Sequence, residues 1–452
     1  MSKIKVNMLE GSLAKNLILF CVPVILTGVL QLMFNACDMI VVGRFSGSAA
    51  LGAVGATGSL VNLMVNLFMG LSVGVNVLAA QFFGARDHEN IESTVHTAIT
   101  LGAICGFLLT LIGVVLCKPC LKAMGTPEDI VDLSVIYMRI YFLGMPFSLV
   151  YNFGAAILRA QGNTRHPLIF LIIAGVVNVI LNLIFVIVFH MSVVGVATAT
   201  VISQVVSAAL IIHYLRDPGS IYRLEYKKLR VNVRLLRRIL RIGVPASISS
   251  MMFAFSNMLI QSSINLFGSA AVAGCSASGN LDSLTYLAMN SMHHACVNFV
   301  GQNVGAGTPE RVPKIVRWCL LYVVIVSTII GVVFWFFGEN LLALYVQDAK
   351  AIAYGMIEIY IVSFTYFLCG FMEVFTGAIR GMGYSLAPTV VSILGICGFR
   401  ATWIYTVFRA HQTLNVLFWS WPLSWFVTLL ALMICYGIVM RKKRKEQVKA
   451  TA

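Results

Sequence analysis

The sequence predicts an all-α polytopic membrane protein. Twelve transmembrane helices are expected, in two six-helix bundles related by a pseudo-two-fold axis along the membrane normal. Three observations predict it: composition, a series of long apolar segments, and an internal duplication. Of 452 residues, 59% are hydrophobic and 11% are charged, a balance outside that of soluble domains. Apolar segments long enough to cross about 30 Å of hydrocarbon recur along the chain. They fall at 14–43, 50–80, 93–117, 132–158, 167–190, 192–215, 238–267, 270–301, 314–338, 351–379, 387–409 and 414–440. The longest polar stretch, near 216–237, is too short for a separate soluble domain. The first residues, "MSKIKVNMLEGSLAKN", lack the short apolar region and small-residue cleavage site of a signal peptide. The first apolar segment is therefore expected to remain in the mature protein.

The duplication gives the twelve segments their order. "GSAALGA" begins at Gly47 and "GSAAVAG" at Gly268. "AQFFGARDHENI" from Ala80 lies over "GQNVGAGTPERV" from Gly301, placing Gln81, Gly84 and Ala85 on Gln302, Gly305 and Ala306. "RAQGNTRHP" from Arg159 lies over "RGMGYSLAP" from Arg380. These pairs are 221 residues apart, and Pro23 pairs with Pro245 at 222. The expected organisation is an N-terminal bundle at 1–215, a basic linker at 216–237, a C-terminal bundle at 238–440 and a basic tail at 441–452. Six passes per half make the repeat parallel in topology, a pattern found in secondary transporters with a site between the repeats.

The charge sets the orientation. The formal net charge is +15. Arg216, Arg223, Lys227, Lys228, Arg230, Arg234, Arg237, Arg238 and Arg241 fall around the middle connection. Arg441, Lys442, Lys443, Arg444, Lys445 and Lys449 form the tail, and Lys3, Lys5 and Lys15 mark the start. With an even number of spans all three regions share one side, which the positive-inside rule makes cytoplasmic. The alternate loops hold Asp129, Asp132, Glu339 and Asp348 with few bases. The surplus charge is thus read as topological and not as a nucleic-acid surface. A multi-pass protein of the cell membrane, with both termini cytoplasmic, is expected.

Pro23 and Pro245 sit inside the first and seventh segments, where each removes a backbone hydrogen bond and favours a kink. The kinks either shape packing or bend a gate. The eleven cysteines are scattered through apolar segments and read as small packing residues. Cys117 and Cys120 in "CKPC" are the one pair with redox spacing, and the structural reading is preferred for them. The chain has no H-E-x-x-H, G-x-S-x-G or P-loop. An enzyme is not expected, nor ATP drive by a P-loop, nor any bound cofactor.

"FNACDMIVVGRFSGSAALGAVG" from Phe34, "LRAQGNTRHP" from Leu158, "VGQNVGAG" from Val300 and "AIRGMGYSLAP" from Ala378 occur in order. This set resembles the multidrug and toxic compound extrusion (MATE) family, over about residues 12 to 440. The resemblance implies a secondary antiporter that exports amphipathic, often cationic, small molecules in exchange for Na⁺ or H⁺ by alternating access. It also implies a cation site in the N-terminal bundle, built from an acid on the first helix, polar and acidic groups on the fifth and a hydroxyl on the sixth. The alternative is a flippase for a lipid-linked precursor, which shares the general architecture. A flippase cavity is expected to be rich in bases, and Arg400 is the clear mid-membrane base here. The partners expected are small molecules and membrane lipids, with no nucleic acid, for a monomeric protein.

The residues onto which the site falls are Asp38, Asn178, Asn182, Thr198 and Thr200. At about 1.5 Å per residue, Asn178 and Asn182 lie roughly 16 and 22 Å along the fifth segment, and Thr198 and Thr200 roughly 9 to 12 Å below the outer end of the sixth. Asn178 and Asn182 share a face by i, i+4 spacing. Oxygen ligands of this kind suit a hard cation such as Na⁺, and a protonated Asp38 would serve an H⁺ cycle. No metal beyond Na⁺ is expected. Asn182 stands where related members carry a second acid, which lowers the charge of the set. Structural alternatives remain: Asp38 paired with Arg44, the amides as interhelical glue, the threonines as back-bonders to their own helices. In the second half Asp282 and Arg400 both lie near mid-depth. They form either a structural ion pair or part of a cavity and proton path, since an unpaired charge there is costly. Glu373 and Arg380 share a face near the cytoplasmic end, and His293 is read as a structural interfacial residue.

Overall fold

The computed structural model describes residues 6–217 and 223–451, with side chains through residue 447. Lys3, Lys5, the 218–222 part of the basic connection and the Lys449 side chain lie outside the described residues. The first half runs α1 (Leu13–Phe45), α2 (Ser48–Ala85), α3 (His88–Ala123), α4 (Glu128–Leu143), α5 (Met145–Ala160), α6 (Arg165–Leu183) and α7 (Ser192–Leu215). The second runs α8 (Val233–Ile264), α9 (Ser269–Gly305), α10 (Val312–Ala343), α11 (Ala349–Val362), α12 (Tyr366–Gly381), α13 (Leu386–Ser392), α14 (Phe399–Trp403) and α15 (Leu414–Thr451). No strand occurs among the described residues.

These helices make the expected twelve passes. Ten are long and apolar enough to span a bilayer, and the pair α4 and α5, bent by 46°, forms an eleventh. The twelfth is α9, whose 37 residues have ample length but carry the polar runs "CSASGNLDS" and "NSMHHACVN". Several of the expected spans are interrupted, 167–190 by a π-helical turn at Ile184–Val188. The span 132–158 breaks between Leu143 and Met145, and 351–379 has a 3₁₀ turn at Ser363–Thr365. The span 387–409 contains two π-helical turns, Ile393–Gly398 and Ile404–Phe408. α15 continues as helix through the basic tail.

The duplication extends to backbone conformation. Gly47 and Gly268, 221 apart, both sit in the left-handed region between helices, at φ 87° and 86°. Gly162 and Gly383 repeat this at 90° and 93°. Only glycine reaches such angles without steric cost. At the corresponding helix ends the first half uses Arg86 (φ 54°) where the second uses Gly307 (φ 73°).

The chain divides into two compact units. Among the described residues, unit 1 holds Val6 with 22–217 and 223–247, and unit 2 holds 7–21 with 248–451. The boundaries fall inside α1 and α8, each two residues from a proline, Pro23 or Pro245. In unit 1 the start of α8 lies against α2 through glycine. A Cβ on Gly70 would meet the Ser247 backbone nitrogen at 2.3 Å, and one on Gly74 the Ile239 carbonyl at 2.4 Å. In unit 2 the start of α1 packs on α9, with Phe20 edge-on to Phe299 at 5.9 Å. A large buried cluster fills unit 1, from Val41 to Ile239.

Candidate functional site

Asp38 lies seven residues before the end of α1 and is buried. Its position follows from the contact of α1 with α6. One turn earlier, the Phe34 ring occupies the space a side chain on Gly175 would take, 1.7 Å from its ideal Cβ. Gly175 is itself one turn before Asn178. With the ring seated, the next turns of α1 and α6 face each other. Asn182 Nδ2 then donates to Asp38 Oδ1 and to Asn178 Oδ1, at 2.5 and 3.1 Å. From α7, Thr200 Oγ1 lies 3.4 Å from Asp38 Oδ2 and from Asn178 Nδ2, while bonding its own helix at the Val196 carbonyl. α6 passes into a π-helical turn, Ile184–Val188, directly after this site. π-turns re-aim the side chains around them and concentrate at functional sites.

Four of the five expected residues therefore meet: Asp38, Asn178, Asn182 and Thr200. Thr198 does not join them; its hydroxyl donates to the Val194 carbonyl, 2.7 Å away on its own helix. Thr198 and Thr200 are two apart, so they point about 200° apart around the helix. Arg44 is six residues from Asp38 and makes no ion pair with it. The carboxylate is held by neutral donors alone. The buried Asn182 Oδ1 has no hydrogen-bond partner. An ionised carboxyl beside an unpartnered amide oxygen is a donor set that fits a small cation, or a proton on Asp38 itself.

In unit 2 the structure corrects the Asp282–Arg400 ion pair. Arg400 Nε donates to Ser424 Oγ at 3.2 Å, Nη1 to Asn257 Oδ1 at 3.3 Å, and the guanidinium lies 4.6 Å from the Trp421 ring centre. Two neutral oxygens and an aromatic face satisfy a planar cation without a carboxylate. Asp282 makes no ion pair among the described residues; its Oδ2 is buried with no hydrogen-bond partner, while Ser278, one turn earlier on α9, donates to Glu358 on α11. His293 Nδ1 is 3.0 Å from Glu373 Oε2, so Glu373 is bound to the histidine of α9. Cys117 and Cys120 are free thiols.

A family model described as MatE matches residues 23–184 and, again, residues 245–406. The chain belongs to the MatE family. The two matched segments begin at Pro23 and Pro245, the prolines paired by the internal repeat. The chain is 28% identical over 445 residues to the probable multidrug resistance protein YoeA of Bacillus subtilis (strain 168), covering 96% of each. It is 24% identical over 411 residues to the probable multidrug resistance protein NorM of Thermotoga maritima, covering 88% of this chain and 86% of that one. Its fold is similar to a solved MATE structure in the bent conformation, with a TM-score of 0.89 at 20% identity over 99% and 100% of the two chains. The Vibrio cholerae MATE transporter VcmN in the bent form gives 0.87 at 21% identity over 95% and 98%. The protein is a multi-pass membrane transporter and not an enzyme.

Within this MATE fold, sequence reasoning missed three residues beside the polar sites. Tyr137 and Tyr141 of α4 lie within electrostatic reach of Asp38. Nothing in their spacing singles them out among fifteen tyrosines. Glu358 had a signal: an acid inside the apolar run "GMIEIYIV" of an expected span, the same reasoning that identifies Asp38.

Proposed function

We propose that the protein is a cation-coupled antiporter that exports amphipathic, cationic small molecules while Na⁺ or H⁺ moves inward through the Asp38 site. The observation that carries the reading is a buried carboxyl held by the Asn182 amide, itself bonded to Asn178, and the Thr200 hydroxyl, with no base in contact among the described residues. Without a bound cation or proton, a buried carboxylate lacks a compensating charge. The names of YoeA and NorM, both probable multidrug resistance proteins, support small organic compounds as the cargo. The flippase alternative lacks its base, since Arg400 is already held by Asn257, Ser424 and Trp421.

Ion binding drives a conformational cycle only as far as the ion prefers one state over the other. Asp38 is placed to supply that preference, because it joins α1 to α6 and α7. Filling the site neutralises the carboxylate and changes how firmly Asn182 and Thr200 hold α1. The test uses purified protein in liposomes with Na⁺ and H⁺ gradients imposed separately and a fluorescent cationic dye as cargo. Asp38→Asn keeps the shape and hydrogen-bonding capacity of the side chain. It is expected to insert and to bind dye while losing gradient-driven export. Export by Asp38→Asn at the wild-type rate would show the aspartate to be structural.

A further inference from the structure

We infer that the first turns of α8 carry a binding site for the phosphate head groups of anionic phospholipids, formed by Arg234, Arg237, Arg238 and Arg241. The four follow one another at spacings of three, one and three residues. At about 100° per helical residue, those spacings put them on a single face. All four are exposed. The other side of the same turns is packed into unit 1: Leu235, Ile239 and Ile242 are buried. Arg238 is oriented from below by Phe82 of α2, whose ring centre is 5.2 Å from the guanidinium carbon. Leu240 and Val244 stand three residues beyond Arg237 and Arg241, and both are exposed. The arginine face thus runs directly into an apolar one.

That sequence of polar and apolar surface matches a phospholipid. The four arginines span about 10 Å of helix axis, comparable to the head-group layer of one leaflet, roughly 5–8 Å thick. Acyl chains can then lie along Leu240 and Val244, where a soluble anion has nothing to place. The charge on this face is also uncommitted. None of the four arginines is in an ion pair among the described residues. Lys228, just before α8, differs: it is bound to Glu92 at 3.0 Å and Glu225 at 3.4 Å. The residue type fits as well. The planar guanidinium presents paired donors to two phosphate oxygens, which an ammonium cannot do. Clustered bases beside a membrane helix attract anionic lipid.

Neither the fold nor the orientation of the chain requires this face. At the 222-residue offset of the first helices, Arg234, Arg237, Arg238 and Arg241 correspond to Ser12, Lys15, Asn16 and Leu19. The equivalent helix therefore begins with one base where α8 has four. Orientation asks only for a bias of charge between the two sides, not for alignment on one helix face. The tail shows bases without such alignment: Arg441, Lys442, Lys443, Arg444 and Lys445 are consecutive and wrap around α15. Which leaflet supplies the lipid rests on the topology expected from the charge bias; that lipid is held there rests on the arginine face itself.

The test titrates the purified full chain in detergent with dioleoylphosphatidylglycerol or dioleoylphosphatidylcholine and counts retained lipids by native mass spectrometry. The two lipids share their chains and differ in net charge. The wild type should retain phosphatidylglycerol in preference to phosphatidylcholine. Arg237→Gln should lower phosphatidylglycerol retention about fivefold, and Arg234→Gln, Arg237→Gln and Arg241→Gln together should abolish the preference. Phosphatidylcholine retention should not change. Arg441→Gln, Lys442→Gln and Lys445→Gln together remove the same charge from the tail and should leave the preference intact. Inorganic phosphate at the lipid concentration should not displace phosphatidylglycerol. An equal loss in the tail variant would reduce the effect to net charge and overturn the inference. Displacement by inorganic phosphate overturns it too, by making the face a soluble-anion site. So does an unaltered preference in Arg237→Gln, a single exposed change that keeps the test open should the triple variant fail to insert. None of these outcomes bears on whether Asp38→Asn loses gradient-driven export.

Discussion

Asp38 and Arg400 meet the same problem in opposite ways. Each is an ionisable group buried in a membrane helix, and neither has a counter-charge in contact. Arg400 is satisfied permanently by Asn257, Ser424 and the Trp421 face. Asp38 has donors but no cation, which leaves room for one to come and go. The difference makes a prediction for Asp282 and Arg400 of unit 2. Removing one member of a genuine buried ion pair costs about 3–5 kcal/mol, and the loss is largely recovered when both are removed. Asp282 and Arg400 share no hydrogen-bond partner. The thermal-stability losses of Asp282→Asn and Arg400→Gln should therefore add within about 0.5 kcal/mol in the double variant. A coupling of about 2 kcal/mol or more would restore the ion pair.

The contact that matters most between elements is α1 on α6. It depends on Gly175 having no side chain, so that the Phe34 ring can lie against the backbone of α6. Overfilling a packed contact costs about 1–3 kcal/mol. Gly175→Ala should lower thermal stability by that amount and weaken gradient-driven export, because Asp38 sits one turn from Phe34. Phe34→Leu added to the same chain vacates the ring volume and should recover part of both losses. Recovery of neither would mean that Phe34 and Gly175 do not set the position of α1. The π-turn after Asn182 and the two in the segment from Leu386 to Phe408 belong to the same scale. Each changes the angular position of every later side chain on its helix by a fraction of a turn.

For the whole molecule, an even number of passes in each half predicts that both ends and the middle connection share one side of the membrane. The bases then choose which side, through their excess at the start, middle and end of the chain. Lys227 is exposed in the middle connection, and Glu339 lies near the end of α10, which this topology predicts to face the other side. With each replaced singly by cysteine, an impermeant maleimide applied to intact cells should label position 339 and not 227. The reverse pattern would invert the topology.

The architecture was legible because crossing a bilayer is a property of each segment alone. Length and hydropathy decide it, and the 221-residue repeat requires the same number of passes in each half. The α9 pass is polar enough to fail a hydropathy test, yet the repeat places it over α2. The Asp38 set was largely legible for a related reason. Depth follows from position along a helix, and i, i+4 spacing puts Asn178 and Asn182 on one face. Depth is not direction, however. Asp282 and Arg400, expected at similar depth, turn to different neighbours, and of Thr198 and Thr200, two residues apart on α7, only Thr200 faces Asp38. Which way a side chain points across a bundle depends on how each helix is rotated, bent at α4–α5 or re-phased by π-turns. Those rotations are set by close contacts such as Phe34 on Gly175 and Gly274 on Ala351. They are pairings between distant segments, and only the tertiary structure decides them.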